Sequence, residues 1–352
     1  TTNYDLAIKD LEKFIAQNFD KQGFPINRNP NHLLKYSKYL ILIKECINDA
    51  HMYVPDFLNE IIDKNLSCLK SITTPTNQLP LFNGATEIEL DNYYEYIDRL
   101  NYKIKKPGFN VGNIQIIKNK KDLIFFDVGQ APKKDFSSSY QSGPLSLEYF
   151  LDGDKIITNC GFGSNISNKA KLLSRLTSAQ STLCLNDTSV TRFERNRMIN
   201  KAFGNSIKDN FKVFDFYCKE DTNNVVSSSS HNAYEKTEGY IHKRTINVSK
   251  IDSIILGTDE LIRKNHGESV KYNIRFHLAP GITAVKTMGG ESVLIQVKKN
   301  KSLIFKSQEQ NILVEKSIFL GGNKILNNLC INISGYIIND NVKISWEIKK
   351  NI

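Results

Sequence analysis

The feature that most constrains the fold of this chain is a change in hydrophobic period near residue 107. Before that point, apolar residues recur every three or four positions, the spacing that lines up one face of a helix. The pattern predicts helices over residues 4–15, 33–47 and 55–69, and a shorter helix over 91–100. The third of these is predicted to start at Pro55, whose fixed φ suits the first turn of a helix. The first hundred residues are therefore predicted to be helical.

After residue 107, short runs of alternating apolar and polar residues follow one another, separated by turn residues. Asp152-Gly153, between two such runs, is typical of a two-residue hairpin turn. The runs continue from 114–117 to 342–348, too many and too evenly spaced for a parallel sheet with crossover helices. The prediction is an α+β protein of two domains: a helical domain over 1–106 and a large antiparallel β-sandwich over 107–352.

Length and charge narrow the class of protein. A chain of 352 residues is long enough for about two domains, and no apolar run approaches the ~20 residues of a membrane helix. The 47 Lys and Arg residues exceed the 37 Asp and Glu residues, which gives a net charge of +10 and favours an anionic partner. The lysines are scattered through turns, which indicates solvated faces rather than a nucleic-acid groove.

The signatures of several common active sites are missing from the sequence. There is no G-x-x-x-x-G-K-[ST], no H-E-x-x-H, no G-x-S-x-G and no zinc-finger spacing. The six cysteines form no C-x-x-C pair and stand in apolar surroundings, so buried free thiols are predicted. Neither a metal nor a cofactor is predicted.

Two of the six histidines stand among polar residues that suit catalysis. His231 and Tyr234 follow the polar run 227–230, which is expected to be a loop. His242 and Arg244 are two positions apart in the next predicted strand, so their side chains share one face. A histidine, a tyrosine and an arginine brought together supply a base, an acid and a carboxylate clamp. The alternative is that His231 and Tyr234 only hold a loop against the sandwich.

Several segments, in their order and spacing, resemble the heparinase II/III-like polysaccharide lyases, in the form found in alphaproteobacteria. Each segment is weakly specific alone, and together they cover nearly the whole chain. Examples are Gly-Pro-Leu-Ser-Leu-Glu at 143–148, Arg-Leu-Thr-Ser-Ala-Gln-Ser-Thr-Leu at 175–183 and His-Asn-Ala-Tyr at 231–234. The others lie at 23–30, 81–84, 156–161, 186–189, 241–244, 256–259 and 275–280.

The resemblance implies an N-terminal α/α toroid followed by an antiparallel β-sandwich. Residues 1–106 would then be the last toroid helices, and the resemblance implies that a large N-terminal part is missing; the start at Thr1 without Met fits either a processed start or a fragment. Tyr36 is the nearest match to the catalytic tyrosine of the family's toroid. The resemblance also implies an anionic polysaccharide as partner and a location in the cell envelope or periplasm. It implies neither nucleic acid nor a membrane span, and it leaves the oligomeric state open.

The activity implied by the resemblance is cleavage of acidic, uronate-containing glycans by β-elimination. Neutralising the uronate carboxylate acidifies the C5 proton, a base removes that proton, and a tyrosine protonates the leaving glycosidic oxygen. The catalytic candidates are His231, Tyr234 and Tyr36. The substrate-binding candidates are Gln180, Arg175, Gln141, His242 and Arg244.

Departures from the family pattern leave a second reading open. Gln180 and Gln141 stand where family members carry histidine, and an amide cannot act as a base at neutral pH. Asn232 replaces the acid of a His-Asp-Gly-Tyr loop. Some members hold a structural zinc, but Ala279 replaces the second histidine of the segment that contains His277. The alternative to a lyase is a non-catalytic glycan-binding or cell-envelope protein on the same fold.

Overall fold

The computed structural model describes residues 2–105, 108–265, 268–307, 311–338 and 340–351. Its helical region contains the four predicted helices. They are α1 (Thr2–Asn18), α2 (Pro30–Asp49), α3 (Asp56–Ile72) and α4 (Asp91–Arg99). Pro55 is the N-cap of α3, and the Asn29 side chain accepts a hydrogen bond from the Asn31 amide at the start of α2. The domain boundary predicted between 106 and 107 lies outside the described residues.

The rest of the described chain consists mainly of β-strands, with two short helices, α5 (Asn168–Leu173) and α6 (Arg197–Phe203). In chain order the strands are β1 (Asn110–Val111), β2 (Ile114–Lys118), β3 (Asp122–Asp127), β4 (Leu147–Leu151), β5 (Asp154–Thr158), β6 (Leu183–Leu185), β7 (Val213–Glu220), β8 (Asn224–His231), β9 (Tyr240–Ser249), β10 (Ile254–Arg263), β11 (Val270–Leu278), β12 (Thr283–Lys286), β13 (Ser292–Lys298), β14 (Lys301–Lys306), β15 (Asn311–Phe319), β16 (Leu326–Ile337) and β17 (Val342–Lys350).

The strands form two antiparallel sheets, as predicted. The front sheet has the order β1-β2-β3-β4-β5-β11-β16-β15, with β6 also paired to β11. The back sheet has the order β12-β13-β14-β17-β10-β9-β8-β7. Apolar side chains from both sheets meet in one cluster, in which Phe276 of the front sheet contacts Trp346 of the back sheet with ring centroids 4.9 Å apart. The two sheets therefore form a sandwich with a single core.

The helices pack on the outer face of the front sheet. Ile114, Ile116 and Phe125 belong to the same apolar cluster as the buried faces of the helices. Every residue of β3 is consequently buried, because that strand is covered on both faces. Arg28, just before α2, adds a buried ion pair whose Nη2 lies 2.5 Å from Asp127 Oδ1. None of the described helices combines the length and apolarity needed to cross a membrane.

Two expectations about local structure were wrong. The run 227–230, expected to be a loop, lies within β8. This strand pairs with β7 on one side and β9 on the other, so main-chain pairing outweighs the low strand preference of its serines. The cysteines are free thiols, but only four of the six are buried; Cys46 and Cys218 are exposed.

Candidate functional site

Three neighbouring strands of the back sheet bring the candidate site together. His231 is the last residue of β8 and stands opposite His242 of β9. Arg244 lies two residues further along β9, opposite Asp259 of β10. Because side chains alternate along a strand, His242 and Arg244 point to the same face, as predicted. All four side chains are buried.

The two histidines and Asp259 form a chain of hydrogen bonds. The Ala233 amide donates to His231 Nδ1 (3.2 Å), so we assign the proton of this neutral ring to Nε2. His231 Nε2 then donates to His242 Nδ1 (3.1 Å), and His242 Nε2 donates to Asp259 Oδ1 (2.6 Å). The chain is complete with both imidazoles neutral, and each ring nitrogen has one partner.

Asp259 is also the anion of a buried ion pair with Arg244. Arg244 Nε lies 2.8 Å from Asp259 Oδ1, Nη2 lies 3.1 Å from Oδ2, and Trp346 Nε1 donates to Oδ2 at 2.9 Å. Arg244 Nη1 donates to the carbonyls of Leu145 and Ser181, both at 2.9 Å. Since those carbonyls precede strands of the front sheet, Arg244 joins the two sheets through polar contacts.

Burial sets the protonation states of this cluster. Burial lowers the pKa of His231 well below its usual value, and the proximity of His242 and Arg244 adds to that shift. Burial also lowers the pKa of His242, although the hydrogen bond to Asp259 opposes that shift. Burial acts to raise the pKa of Asp259, but Arg244 and His242 outweigh it and hold that pKa well below its ordinary range. The cluster therefore holds an ionised aspartate and two neutral histidines at neutral pH.

Tyr234 covers His231 from the turn that follows β8. Their ring centroids are 5.7 Å apart, and the Phe211 ring lies 5.8 Å from His231 on another side. The Tyr234 hydroxyl donates to the Leu183 carbonyl at 3.3 Å, and burial raises the pKa of the phenol well above 10. The structure thus brings His231, Tyr234, His242 and Arg244 together, and it closes them off from solvent.

Gln141 and Gln180 meet at a different place. The Nε2 of each donates to the same acceptor, the Ser174 carbonyl, at 2.8 Å. Gln141 Oε1 also accepts from the Gly84 amide (3.0 Å), which ties the sandwich to the segment between α3 and α4. Both side chains are buried. Gln141 and Gln180, at the two positions where the resemblance implied histidine, therefore lie next to each other in space.

Arg175 is buried beside these glutamines, and its hydrogen-bond partners among the described residues are main-chain carbonyls, not carboxylates. Its Nε donates to Tyr140 O (2.7 Å), Nη1 to Asn205 O (2.6 Å) and Nη2 to Ser137 O (2.9 Å). Its guanidinium carbon lies 4.0 Å from the centroid of the Phe193 ring. Burial lowers the pKa of the guanidinium to about 9. These contacts hold three loop segments together.

Tyr36 lies apart from the other candidates. It is on α2, and its ring packs against Phe14, Phe19 and His32, with centroids 5.2–6.0 Å away. It belongs to the cluster of the helical region, whereas Tyr234 belongs to the core of the sandwich. Partial burial raises the pKa of its hydroxyl. The structure does not bring Tyr36 into the His231 cluster.

His277 is held by hydrogen bonds at both of its ring nitrogens. Its Nε2 donates to the Ser178 carbonyl (3.0 Å), and its Nδ1 accepts from the Ser317 hydroxyl (2.9 Å). Within the part of the chain that the structure describes, no three His, Cys, Asp or Glu side chains group in a way that could hold a metal ion. Both ring nitrogens of His277 are thus used by the sandwich itself.

Sequence reasoning missed two members of the buried cluster, Asp259 and Trp346. Asp259 lies in a segment that carries the family resemblance. Along β10 it is on the same buried face as Gly257 and Leu261. An acidic residue in phase with apolar ones is a signal for a buried, paired carboxylate. Its pairing with Arg244 depends on the register of β9 against β10, which no local pattern reveals.

The two-sheet antiparallel sandwich with helices packed on one sheet is a fold that known proteins share. The family model described as heparinase II/III-like, C-terminal, matches residues 104–347. This chain therefore belongs to the heparinase II/III-like family.

Solved structures agree on the fold. The heparan sulfate lyase HepC from Pedobacter heparinus is similar with a TM-score of 0.77 and 12% identity, over 97% of this chain and 55% of that one. A heparinase III structure gives a TM-score of 0.74 and 12% identity, over 96% of this chain and 56% of the other. The chain thus spans just over half the length of these lyases, and at this identity the likeness shows the fold alone. No curated protein matches the sequence significantly.

Proposed function

We propose that this protein is a polysaccharide lyase that cleaves acidic, uronate-containing glycans by β-elimination. The observation that carries the proposal is the family match over residues 104–347. Two further features are consistent with it: the fold is similar to that of heparan sulfate lyases, and the net charge of +10 suits an anionic polymer. We extend the proposal to a location in the cell envelope or periplasm, where the protein encounters such a polymer.

The proposed reaction needs three groups. A hydrogen-bond donor or cation neutralises the uronate carboxylate, a base takes the C5 proton, and an acid protonates the leaving oxygen. In this proposal His231 is the base, Tyr234 or Tyr36 is the acid, and the amides of Gln141 and Gln180 bind the carboxylate. Arg175, His242 and Arg244 support the substrate-binding side of the site.

Burial places a condition on these roles. Nε2 of His231 donates to His242, and its Nδ1 accepts from the Ala233 amide, so neither nitrogen is free to take a proton from a sugar. A glycan reaches the ring only after the rings of Tyr234 and Phe211 move aside. Catalysis by His231 therefore requires that the turn after β8 opens when substrate binds.

The same burial favours a second candidate function, glycan binding without cleavage. Gln141 and Gln180 are committed to the Ser174 carbonyl, and an amide does not act as a base. The His231 cluster is likewise satisfied internally and joins the two sheets. In this reading the family's fold is retained as a binding scaffold, and the former catalytic positions serve the core.

One assay separates the two functions. The protein is incubated with heparan sulfate, alginate and hyaluronan, and the unsaturated uronate made by β-elimination is followed by its ultraviolet absorbance. Binding of the same polymers is measured in parallel. Product from any of them supports the lyase proposal. Binding without product supports the second function, and neither product nor binding on any uronate polymer contradicts both.

A further inference from the structure

A cleft rich in lysine lies at one end of the sandwich, away from the candidate site. It is lined by residues 119–122 at the turn into β3, 250–254 at the turn into β10, and 349–350 at the end of β17. The first segment belongs to the front sheet and the other two to the back sheet. We call this space the basal cleft. It opens where the two sheets end side by side.

The basal cleft is remote from the His231 cluster. Strand β9 runs from Tyr240 to Ser249, with His242 near its beginning and the cleft just beyond its end. The seven residue-to-residue steps from His242 to Ser249 span roughly 23 Å at about 3.3 Å per step. A ligand in this cleft therefore does not touch the cluster between the sheets.

The turn that forms one wall of the cleft is held in place by Asn119. Its Oδ1 accepts from the amides of Lys121 (2.8 Å) and Asp122 (2.6 Å). Its Nδ2 donates to Ser249 O (3.0 Å) in the other sheet, so the turn is pinned across the sandwich. The main chain at Lys120 and Lys121 is thus fixed while their side chains remain exposed.

Positive charge in the cleft is poorly compensated by the protein. Five lysines and two aspartates line it. Lys250 pairs with Glu220, with Nζ and Oε1 2.6 Å apart. The Asp122 carboxylate is buried and accepts from Asn119 and the Tyr149 hydroxyl, both at 2.7 Å. The other four lysines, Lys120, Lys121, Lys349 and Lys350, make no ion pair with the described residues.

Lys120, Lys121 and Lys349 are exposed and Lys350 is half-buried at this end of the sandwich, so with Asp252 they leave an excess of positive charge, which an extended anion compensates. The described residues that line the cleft include neither arginine nor an aromatic side chain, the groups that stack on nucleotide bases. Lysine is a compact charge that binds sulfate or carboxylate without requiring a fixed orientation. Ile251, whose surface is 73% exposed, adds an apolar contact for the face of a sugar ring.

We propose that the basal cleft is a second glycan-binding site, which holds a sulfated or uronate-rich segment of the chain whose scission is proposed above. The choice of ligand rests on the proposed function, but the site itself is separate from the reacting groups. It would keep the protein attached to a polymer while another segment is processed.

The test compares two variants that lose the same charge. One carries Lys120→Gln, Lys121→Gln, Lys349→Gln and Lys350→Gln. The control carries Lys9→Gln, Lys13→Gln, Lys316→Gln and Lys343→Gln, all exposed lysines outside the cleft. Binding of labelled heparan sulfate, dextran and single-stranded DNA is measured over a range of NaCl concentrations. All the substituted lysines are exposed except Lys350, which is half-buried at the end of its strand, so thermal unfolding should change little.

We expect the cleft variant to lose about tenfold or more in affinity for heparan sulfate at low salt and to show a weaker salt dependence, whereas the control stays close to the original protein. Equal losses in both variants overturn the proposal, since net charge alone then explains binding. Tighter binding of DNA than of heparan sulfate through the cleft lysines also overturns it. Release of unsaturated product from a short oligosaccharide, measured separately, should be unchanged, so that loss of the cleft is distinguishable from absence of lyase activity.

Discussion

His231 and His242 share a hydrogen bond of 3.1 Å between Nε2 and Nδ1, across two neighbouring strands and within the core. The pair is neutral because one ring can donate to the other only while His242 Nδ1 is unprotonated. The same bond that satisfies the pair also occupies the nitrogen that a base would use. The predictions below separate a role in the core from a role in chemistry.

Stability should fall as the pH drops below about 6.5, because unfolded histidines then take up protons that the folded ones refuse. Burial lowers the pKa values of His231, His242 and His277, the last to about 4. For His277 the loss accumulates between about pH 6.5 and 4 and amounts to about 3 kcal/mol. Urea unfolding at a series of pH values measures it. His277→Gln should flatten the slope, and an unchanged slope would contradict the prediction.

Asp259→Asn should destabilise the protein by about 3–5 kcal/mol, because Arg244 would keep its charge in the core without a counterion. Urea unfolding of the variant measures the loss. Asp209→Asn is the control: it breaks a pair with Arg192, whose side chain is 80% exposed, and should cost less than about 1 kcal/mol. Similar losses of unfolding free energy in both variants would show that the buried ion pair contributes no more to stability than the exposed one.

Tyr234→Phe distinguishes catalysis from packing, because it removes a hydroxyl and keeps the ring that covers His231. If Tyr234 is the acid, turnover of a confirmed substrate should fall about a hundredfold or more, with stability lowered by only about 1 kcal/mol. Tyr36→Phe is the parallel test of the second tyrosine. Full turnover in both variants, and in His231→Ala at a temperature where it is folded, would reject these assignments.

Gln180→His should raise turnover if the missing base limits the reaction. An imidazole at this position can donate to the Ser174 carbonyl, as the amide does, and leave its other nitrogen to accept a proton. The rate should then rise with pH around the pKa of the new histidine. Gln180→Asn, which keeps an amide, is the matched control. An increase in turnover in both variants would indicate that the substitutions improve the access of substrate to the site and do not supply a base.

Arg175→Lys should lower stability by about 2–4 kcal/mol, because one ammonium cannot reach the three carbonyls that the guanidinium spans. Unfolding of the variant and its affinity for heparan sulfate are measured together. Arg192→Lys, which alters an exposed ion pair, should change neither the stability nor the affinity for heparan sulfate. A variant of Arg175 that keeps its stability and loses affinity would instead identify this residue as a direct glycan contact.

The local patterns predicted the elements of the fold well. The helix periods at 33–47 and 58–69 correspond to α2 and α3, because each buries one face against the rest of the protein. Alternation also predicted correctly that His242 and Arg244 share a face. Strand β8 was missed because its serines are polar, whereas its place in the sheet depends on main-chain pairing with both neighbours. The alternation of polar and apolar side chains predicts which residues are buried, but it does not predict which strands pair through their main chains.

By itself, the sequence determined the change from helices to an antiparallel sandwich and the family to which the chain belongs. The first follows from the spacing of apolar residues along the chain, and the second from the order of the segments that resemble the family. Only the tertiary structure decided that Asp259 is the partner of His242 and Arg244, that Gln141 and Gln180 share the Ser174 carbonyl, and that lysines from 119–122 and 349–350 line one cleft. These contacts join residues far apart in sequence, and the register and packing of the two sheets determine which of them meet.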